Sequence, residues 1–430
     1  MLCTALALFA AASSTLAQPA NPPGIIVAPP EQTVPERQGV LDRARPDYDQ
    51  LGIRLGSFLV FPTGQLAESY DTNVFATTTN TKSDFYTTLN PSIALRSDWN
   101  VHALDLEASS QTKRYASLVS ENVTNFAVSG GGRLDIQRDI YASASAEYQL
   151  LHEDRSSPDS VNGKNPVEYH ITSARLAYVH EPGRLGARID TTVDSYSFNN
   201  ATTSAGTTIN QHSRDRIVYA LGPRVSYEII PGYHAFAKAS GNERDYVQKF
   251  DNQGVQRSSR GYEVDGGTAI DITELINGEI FAGYLSQTYD DSRLKPASGF
   301  DFGGNVLWNV TPLTSLRATL SRTIEETTQF ASVGGVTTSA SGYFQTTIKL
   351  TAEHELLRNL LLSASLGYSN SDYQGINRND DEYDAAVVGR YLINRNLSAT
   401  ADFSVHRRSS NVAGASFDRG VGILALKAGF

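Results

Sequence analysis

Eight histidines are the first places to look for chemistry: His102, His152, His170, His180, His212, His234, His354 and His406. None stands at metal-ligand spacing from another histidine, nor from the single cysteine, Cys3. Triads occur in any chain order, so order alone does not decide against a Ser–His–Asp set. No nucleophile-elbow motif accompanies any serine. The triplet Gly130-Gly131-Gly132 lies inside an alternating stretch, where glycine serves strand bending or close approach and not phosphate binding. The acidic run NRNDDEYD, Asn377 to Asp384, has the residue types to hold a divalent cation with phosphates, but it reads better as a solvated loop. Asp290-Asp291 reads the same way. The expectation is therefore no catalytic residue, no cofactor and no metal ligand.

The remaining charged residues fall into a pattern of a different kind. They recur at every second position, opposite an apolar row. In YASASAEYQL, Ala142, Ala144, Ala146, Tyr148 and Leu150 oppose Ser143, Ser145, Glu147 and Gln149. In LSATADFSV, Leu397, Ala399, Ala401, Phe403 and Val405 oppose Ser398, Thr400, Asp402 and Ser404. Side chains alternate faces in a strand, so each segment has one apolar and one polar face. The pattern repeats from about residue 53 to the end, with no sustained helical period.

Alternation assigns Arg96, Asp105, Glu107, Arg133, Asp135, Glu147, Arg175, Arg188, Asp190, Arg224, Asp265, Asp271, Glu279, Asp301, Arg317, Lys349, Arg390, Asp402 and Lys427 to the polar face. The two signs are near balance. A core packed with side chains does not tolerate so many charges unpaired. A water-filled lumen does, and closed barrels of about 16–18 strands leave one.

The elements that would position these residues follow from the connections. Short ones begin at Ser97, Gln137, Glu181, Ile230, Thr273, Thr311, Glu353 and Ile393. Longer polar stretches lie between them, among them DTNVFATTTNTKS, SSPDSVNGKNP, NNATTSAGTTINQ, DNQGVQRSS and QGINRNDDE. This rhythm predicts an all-β, up-and-down antiparallel barrel over 53–430. It would have about 18 strands, with 16 as the alternative, and both termini on the periplasmic side of a Gram-negative outer membrane. In lipid a sheet must close, because every backbone amide needs a partner within the protein. Tyr115, Tyr148, Tyr178, Tyr196, Tyr227, Tyr246, Tyr289, Tyr368 and Tyr373, near strand ends, are expected to form interfacial girdles. The stretch 199–212 is long enough to fold inward and narrow the lumen.

Residues 1–17 read as a secretory signal peptide, although no Lys or Arg precedes the apolar stretch. Residues 18–52 are rich in proline and charge, the composition of an extended linker that does not pack. After Ala17 no apolar run is long enough for a membrane helix. The formal charge of -10 and the absence of a basic patch argue against nucleic acid as a partner.

Two stretches go further. RPDYDQLGIRLGSFLVFP (Arg45 to Pro62) and ESYDTNVFA (Glu68 to Ala76), followed by Ser83 to Leu106, together resemble the start of the family called putative β-barrel porin 2. The resemblance implies an outer-membrane barrel associated with exopolysaccharide or capsule export. It implies contact with membrane lipid and lipopolysaccharide, and with polysaccharide and periplasmic export proteins as further partners. The terminal Phe430 resembles the aromatic ending read by the barrel-assembly machinery. The alternatives are a general or small-solute porin, and a rim enzyme or adhesive barrel.

Overall fold

A computed structural model describes residues 38–272, 275–333 and 335–430. Eighteen long antiparallel strands close into one barrel. In chain order they are β1 (Phe58–Asp71), β2 (Asp84–Ser97), β3 (Ala103–Tyr115), β4 (Val123–Gln137), β5 (Ile140–His152) and β6 (Glu168–His180). Then come β7 (Leu185–Phe198), β8 (Arg216–Ile230), β9 (Tyr233–Tyr246), β10 (Ser259–Ile272), β11 (Ile276–Tyr289) and β12 (Ala297–Thr311). The last six are β13 (Thr314–Glu326), β14 (Gly342–Leu357), β15 (Leu360–Gln374), β16 (Asn379–Leu392), β17 (Leu397–Ser410) and β18 (Phe417–Gly429). Each pairs with the next. Closure is made by β1 and β18, in register from Thr63 opposite Gly429 to Asp71 opposite Val421.

Connections sort by length to the two ends. One end carries tight turns, such as Pro231-Gly232 and Arg358-Asn359. In the first, proline sets one central residue and Gly232 takes φ +81°, which a side chain would resist. The other end carries the long connections 72–83, 116–122, 153–167, 199–215, 247–258, 290–296 and 327–341. Two readings from the sequence need correction. The turn placed at Glu353 comes later, because β14 runs on to Leu357. The acidic run from Asn377 is mostly strand, and the loop before it is only 375–378. Its strand rises beyond the apolar band, where both faces are polar, and such a strand looks like a loop in sequence.

The outer face is the apolar row. Leu424 and Leu426 of β18 are 69% and 53% exposed, and Phe85, Leu89 and Ile93 of β2 continue the same surface. Moving one such side chain from water into hydrocarbon is worth roughly 1.5–3 kcal/mol. Gly130 lets the wall lie flat, since a Cβ there would come within 2.8 Å of Leu106 Cδ2 on the adjacent strand. Tyr148, Tyr178, Tyr227 and Tyr368 stand on the outer face, in register with exposed apolar neighbours. Tyr115, Tyr196, Tyr246, Tyr289 and Tyr373 do not. Each falls on the inner row of its strand, where Tyr196 and Tyr373 are 8% and 3% exposed. Position near a strand end does not decide the face; parity along the strand does.

Residues 1–37, which include the expected signal peptide, lie outside the described residues. The rest of the expected linker does pack. Val40 is fully buried and its N–H donates to Ser315 Oγ at 2.9 Å. Arg45 is paired with Glu355 at 3.1 Å. An apolar side chain and a charge-assisted arginine bond help to seat this segment once the barrel offers partners.

Candidate functional site: the lumen and its two ends

The site is built from the inner rows of the strands and from what crosses each end. At the long-loop end, 153–167 joins β5 to β6 and 327–341 joins β13 to β14, eight strands further round the wall. The two meet across the mouth. Asp159 accepts hydrogen bonds from Thr327 Oγ1 at 2.8 Å and from the Thr328 N–H at 3.2 Å. Gln329 Nε2 donates to Pro158 O at 2.6 Å. Asp159 and Thr327 are 4% and 2% exposed, so these bonds compete little with water.

Arginines from the rim hold this crossing in place. Arg257 pairs with Asp251 at 2.6 Å and donates to Thr327 O at 2.6 Å and Ala340 O at 3.0 Å. Arg378 bridges Asp380 at 2.7 Å and Gln329 Oε1 at 3.0 Å. Arg214 pairs with Glu153 at 2.7 Å. Arg419 reaches both Asp71 at 2.7 Å and Asp154 at 3.0 Å, tying the first loop to the closing strands. Burial works to raise the Asp154 pKa. Arg419, the Ser156 N–H and Lys113 outweigh it and hold the carboxyl well below its ordinary range.

A depressed folded pKa stabilises the lock above the ordinary value of 3.8, and that stabilisation is lost as pH falls through the folded value. Open probability in a planar bilayer should therefore stay flat from neutrality to about pH 4 and rise only below it. In Asp154→Asn the rise should be blunted.

Above its middle, the wall itself turns inward. The β12–β13 ladder stops at Gly304 opposite Leu320, while the β13–β14 ladder continues to Glu326 opposite Gly342. By alternation Ile324 and Phe344 belong to the outer row with Ile348 and Leu350. Instead they bury against Leu285 and Ala297 on the inner face, with the Phe344 ring over Gly299. The hairpin top thus leaves the wall and lies across β11 and β12 as an arm. Arg244 of β9 holds its end through Glu326 and Ile324 O, and Tyr246 donates to Glu326 at 2.7 Å. Arg322 stands where the wall parts, its guanidinium 4.6 Å from Phe344 and 5.8 Å from Phe302.

The charges that alternation assigned to the polar face have these surroundings. Arg96 and Asp105 are opposite in register on β2 and β3, with Glu107 two residues on. Arg133 pairs with Asp135 at 2.7 Å and stacks over Tyr141 at 3.8 Å. Glu147 accepts from Gln149 at 2.6 Å. Arg188 pairs with Asp190 at 2.6 Å. Arg224 reaches past two strands to Glu279 at 2.9 Å and lies 3.7 Å above Phe236. Asp265 pairs with Lys238 at 3.3 Å. Asp271 faces Asn277 in register. Arg175 keeps a buried Nε without a hydrogen-bond partner. Arg390, Asp402 and Lys427 lie on the consecutive strands β16, β17 and β18, while Lys349 is exposed. The acidic run resolves into ion pairs: Asp380 with Arg378, and Glu382 with Arg408 at 2.5 Å. Asp291 of the other acidic pair is bound by Arg293 at 2.6 Å.

The short-turn end holds residues 38–49. Besides Val40 and Arg45, Asp42 pairs with Arg317 at 2.8 Å, and Arg395 donates to Pro46 O at 3.1 Å. Val40→Asp would bury a carboxylate beside Glu353. Trypsin should then cut after Arg43 at least about tenfold faster than in the parent barrel, while the Arg45–Pro46 bond stays resistant in both.

The expected narrowing by 199–212 takes another form. That loop packs against 153–167, with Ala201 beside Gly163 and Lys164 N–H donating to Thr202 O at 2.7 Å, so it supports the crossing and does not make it. Asp159, Thr327, Gln329, Arg257 and Arg378 were invisible from sequence, because nothing local marks contacts that join residues 49 positions apart, as Arg378 and Gln329, or 168 apart, as Asp159 and Thr327.

Solved structures with similar architecture include the copper transporter OprC, at 11% identity over 88% of this chain and 81% of that one, TM-score 0.48. Another is the outer membrane protein opdK from Pseudomonas aeruginosa, at 10% identity over 86% and 99%, TM-score 0.45. No curated protein matches the chain. The family model described as putative beta-barrel porin 2 matches residues 45–430, so the inner rows, the arm and the locked mouth are those of a member of that family, an outer-membrane β-barrel of the porin-like channel class.

Proposed function

We propose that this channel is a gated conduit for exopolysaccharide or a related saccharide. The observation that supports the reading is the crossed mouth. Loops from opposite walls are joined by hydrogen bonds through Asp159, so passage requires the loops to part. A general diffusion porin works by standing open, whereas an export conduit opens when its cargo and partners arrive. The residues lining the lumen are those of the inner rows, from Arg96 and Asp105 round to Lys427. They would offer a hydrated polymer alternating charges and weak hydrogen bonds. No catalytic step is part of this reading.

In this orientation the long loops face outward, amid lipopolysaccharide, and the short turns with segment 38–52 face periplasmic export proteins. Phe430 is 63% exposed just past the closing ladder, and its part in this reading is the aromatic ending taken up by the barrel-assembly machinery. The test is deletion of the gene, with secreted and retained polysaccharide assayed separately. Loss of secreted polymer, restored by the intact gene but not by one lacking β18, supports the conduit. Unchanged secretion moves the reading to a small-solute porin. The lumen assignment has its own check: Arg133→Glu should shift the open channel toward cation selectivity, and unchanged selectivity removes Arg133 from the lining.

A further inference from the structure

Under the arm, three carboxylates converge on the inner face. Glu263 and Asp265 come from β10 and Asp301 from β12, and their ligand oxygens lie within 4.8 Å of one another. A strand separates the two aspartates. In register, Gly283 of β11 lies directly between them, opposite Asp265 on one side and Asp301 on the other. A Cβ at 283 would fall 2.3 Å from Asp265 Oδ1, so only glycine leaves room for the two carboxylates to meet.

Burial makes the arrangement costly as it stands. Asp265 and Asp301 are each 2% exposed. Asp301 Oδ1 has no hydrogen-bond partner, and neither oxygen of Asp265 has one. One cation is at hand: Lys238, 3.3 Å from Asp265, 3.6 Å from Glu263 and 3.5 Å above the Phe281 ring. With all three ionised, three carboxylates and one ammonium leave two negative charges, at a site where the two aspartates are buried and Glu263 reaches the water-exposed edge.

We propose that Glu263, Asp265 and Asp301 form a binding site for a hard divalent cation of the calcium type. A doubly charged ion brings the cluster to neutrality, and carboxylate oxygens are the ligands such ions take. The ion joins β10 to β12 beneath the arm, where β12 has lost its ladder to β13. The site depends on no view of the cargo.

The test is calorimetric titration of calcium chloride into the full barrel, refolded in detergent free of lipopolysaccharide and stripped with EDTA. Folding is checked by heat-modifiable gel mobility. The parent should show one saturable site, and Asp301→Asn should bind at least about tenfold more weakly. Should Asp301→Asn not fold, Glu263→Gln takes its place with the same expectation. Asp291→Asn, in a remote loop, should keep the parent affinity. Lys238→Gln removes the competing ammonium and should bind more tightly. A folded parent without a saturable site, or Asp301→Asn with parent affinity, overturns the proposal. So does a Lys238→Gln barrel whose melting temperature falls and is not raised by calcium, because the cluster is then only the counter-charge of that lysine.

Discussion

Asp159→Ala should convert a channel that is mostly closed into one that is mostly open. The substitution removes an acceptor that Thr327, Thr328 and Gln329 share across the mouth and strands the Thr327 hydroxyl and the Thr328 N–H. Hydrogen bonds to a charged group are worth about 1.5–3 kcal/mol each, and each 1.4 kcal/mol is about a tenfold change in an equilibrium. Gln329 and Arg257 remain, so the expected gain in open probability is at least about tenfold and short of complete opening. Single-channel recording reads the change as longer openings at unaltered unit conductance. The control is Asp291→Ala, which removes contacts confined to Arg293 and Gln256 on the neighbouring rim. If the control opens the channel equally, the crossing is not what closes it.

Arg419→Met should carry the largest cost in stability. Among the described residues, Arg419 is the one ion-pair partner of both Asp71, whose side chain is fully buried, and Asp154. Removing one partner of a buried pair costs about 3–5 kcal/mol, because the remaining carboxylates keep their desolvation without compensation. The loss should appear in urea unfolding from lipid vesicles. Adding Asp71→Asn and Asp154→Asn to the same chain should recover much of it. Arg260→Met, which breaks an ion pair with Glu243 on the exposed outer surface, should change nothing measurable. Equal losses at the two sites would refute the role given to burial.

The barrel was legible in the sequence because its defining pattern is local. Alternation between Leu426 and Lys427 needs only neighbouring residues, and so does the tight turn at Pro231-Gly232. The inner placement of Arg188 beside Asp190 follows from the same parity. What alternation cannot carry is a change of direction. Ile324 and Phe344 keep their parity, yet the hairpin bends, and an outer row becomes an inward-packed one. The tyrosines near strand ends show a second limit, since proximity to the interface was read where face should have been. The acidic run shows a third: a strand polar on both sides, as at Asp380 to Asp384, has no period to read. Composition misled for residues 38–52, which were read with the proline-rich stretch before them as one free linker although Val40 and Arg45 had partners waiting in β13 and β14.

The ladder between β12 and β13 also makes the wall mechanically uneven. Its pairing covers only Gly304 to Thr311, while the adjoining β13–β14 ladder runs from Thr314 to Glu326 without interruption. Strands in shear resist in proportion to the bonds loaded together. Pulled by a cantilever from the chain's end, the barrel should peel hairpin by hairpin from β18 down. At β13 the force should drop, because fewer bonds restrain that step. The inward arm, which narrows the lumen, would thus also mark where the cylinder tears.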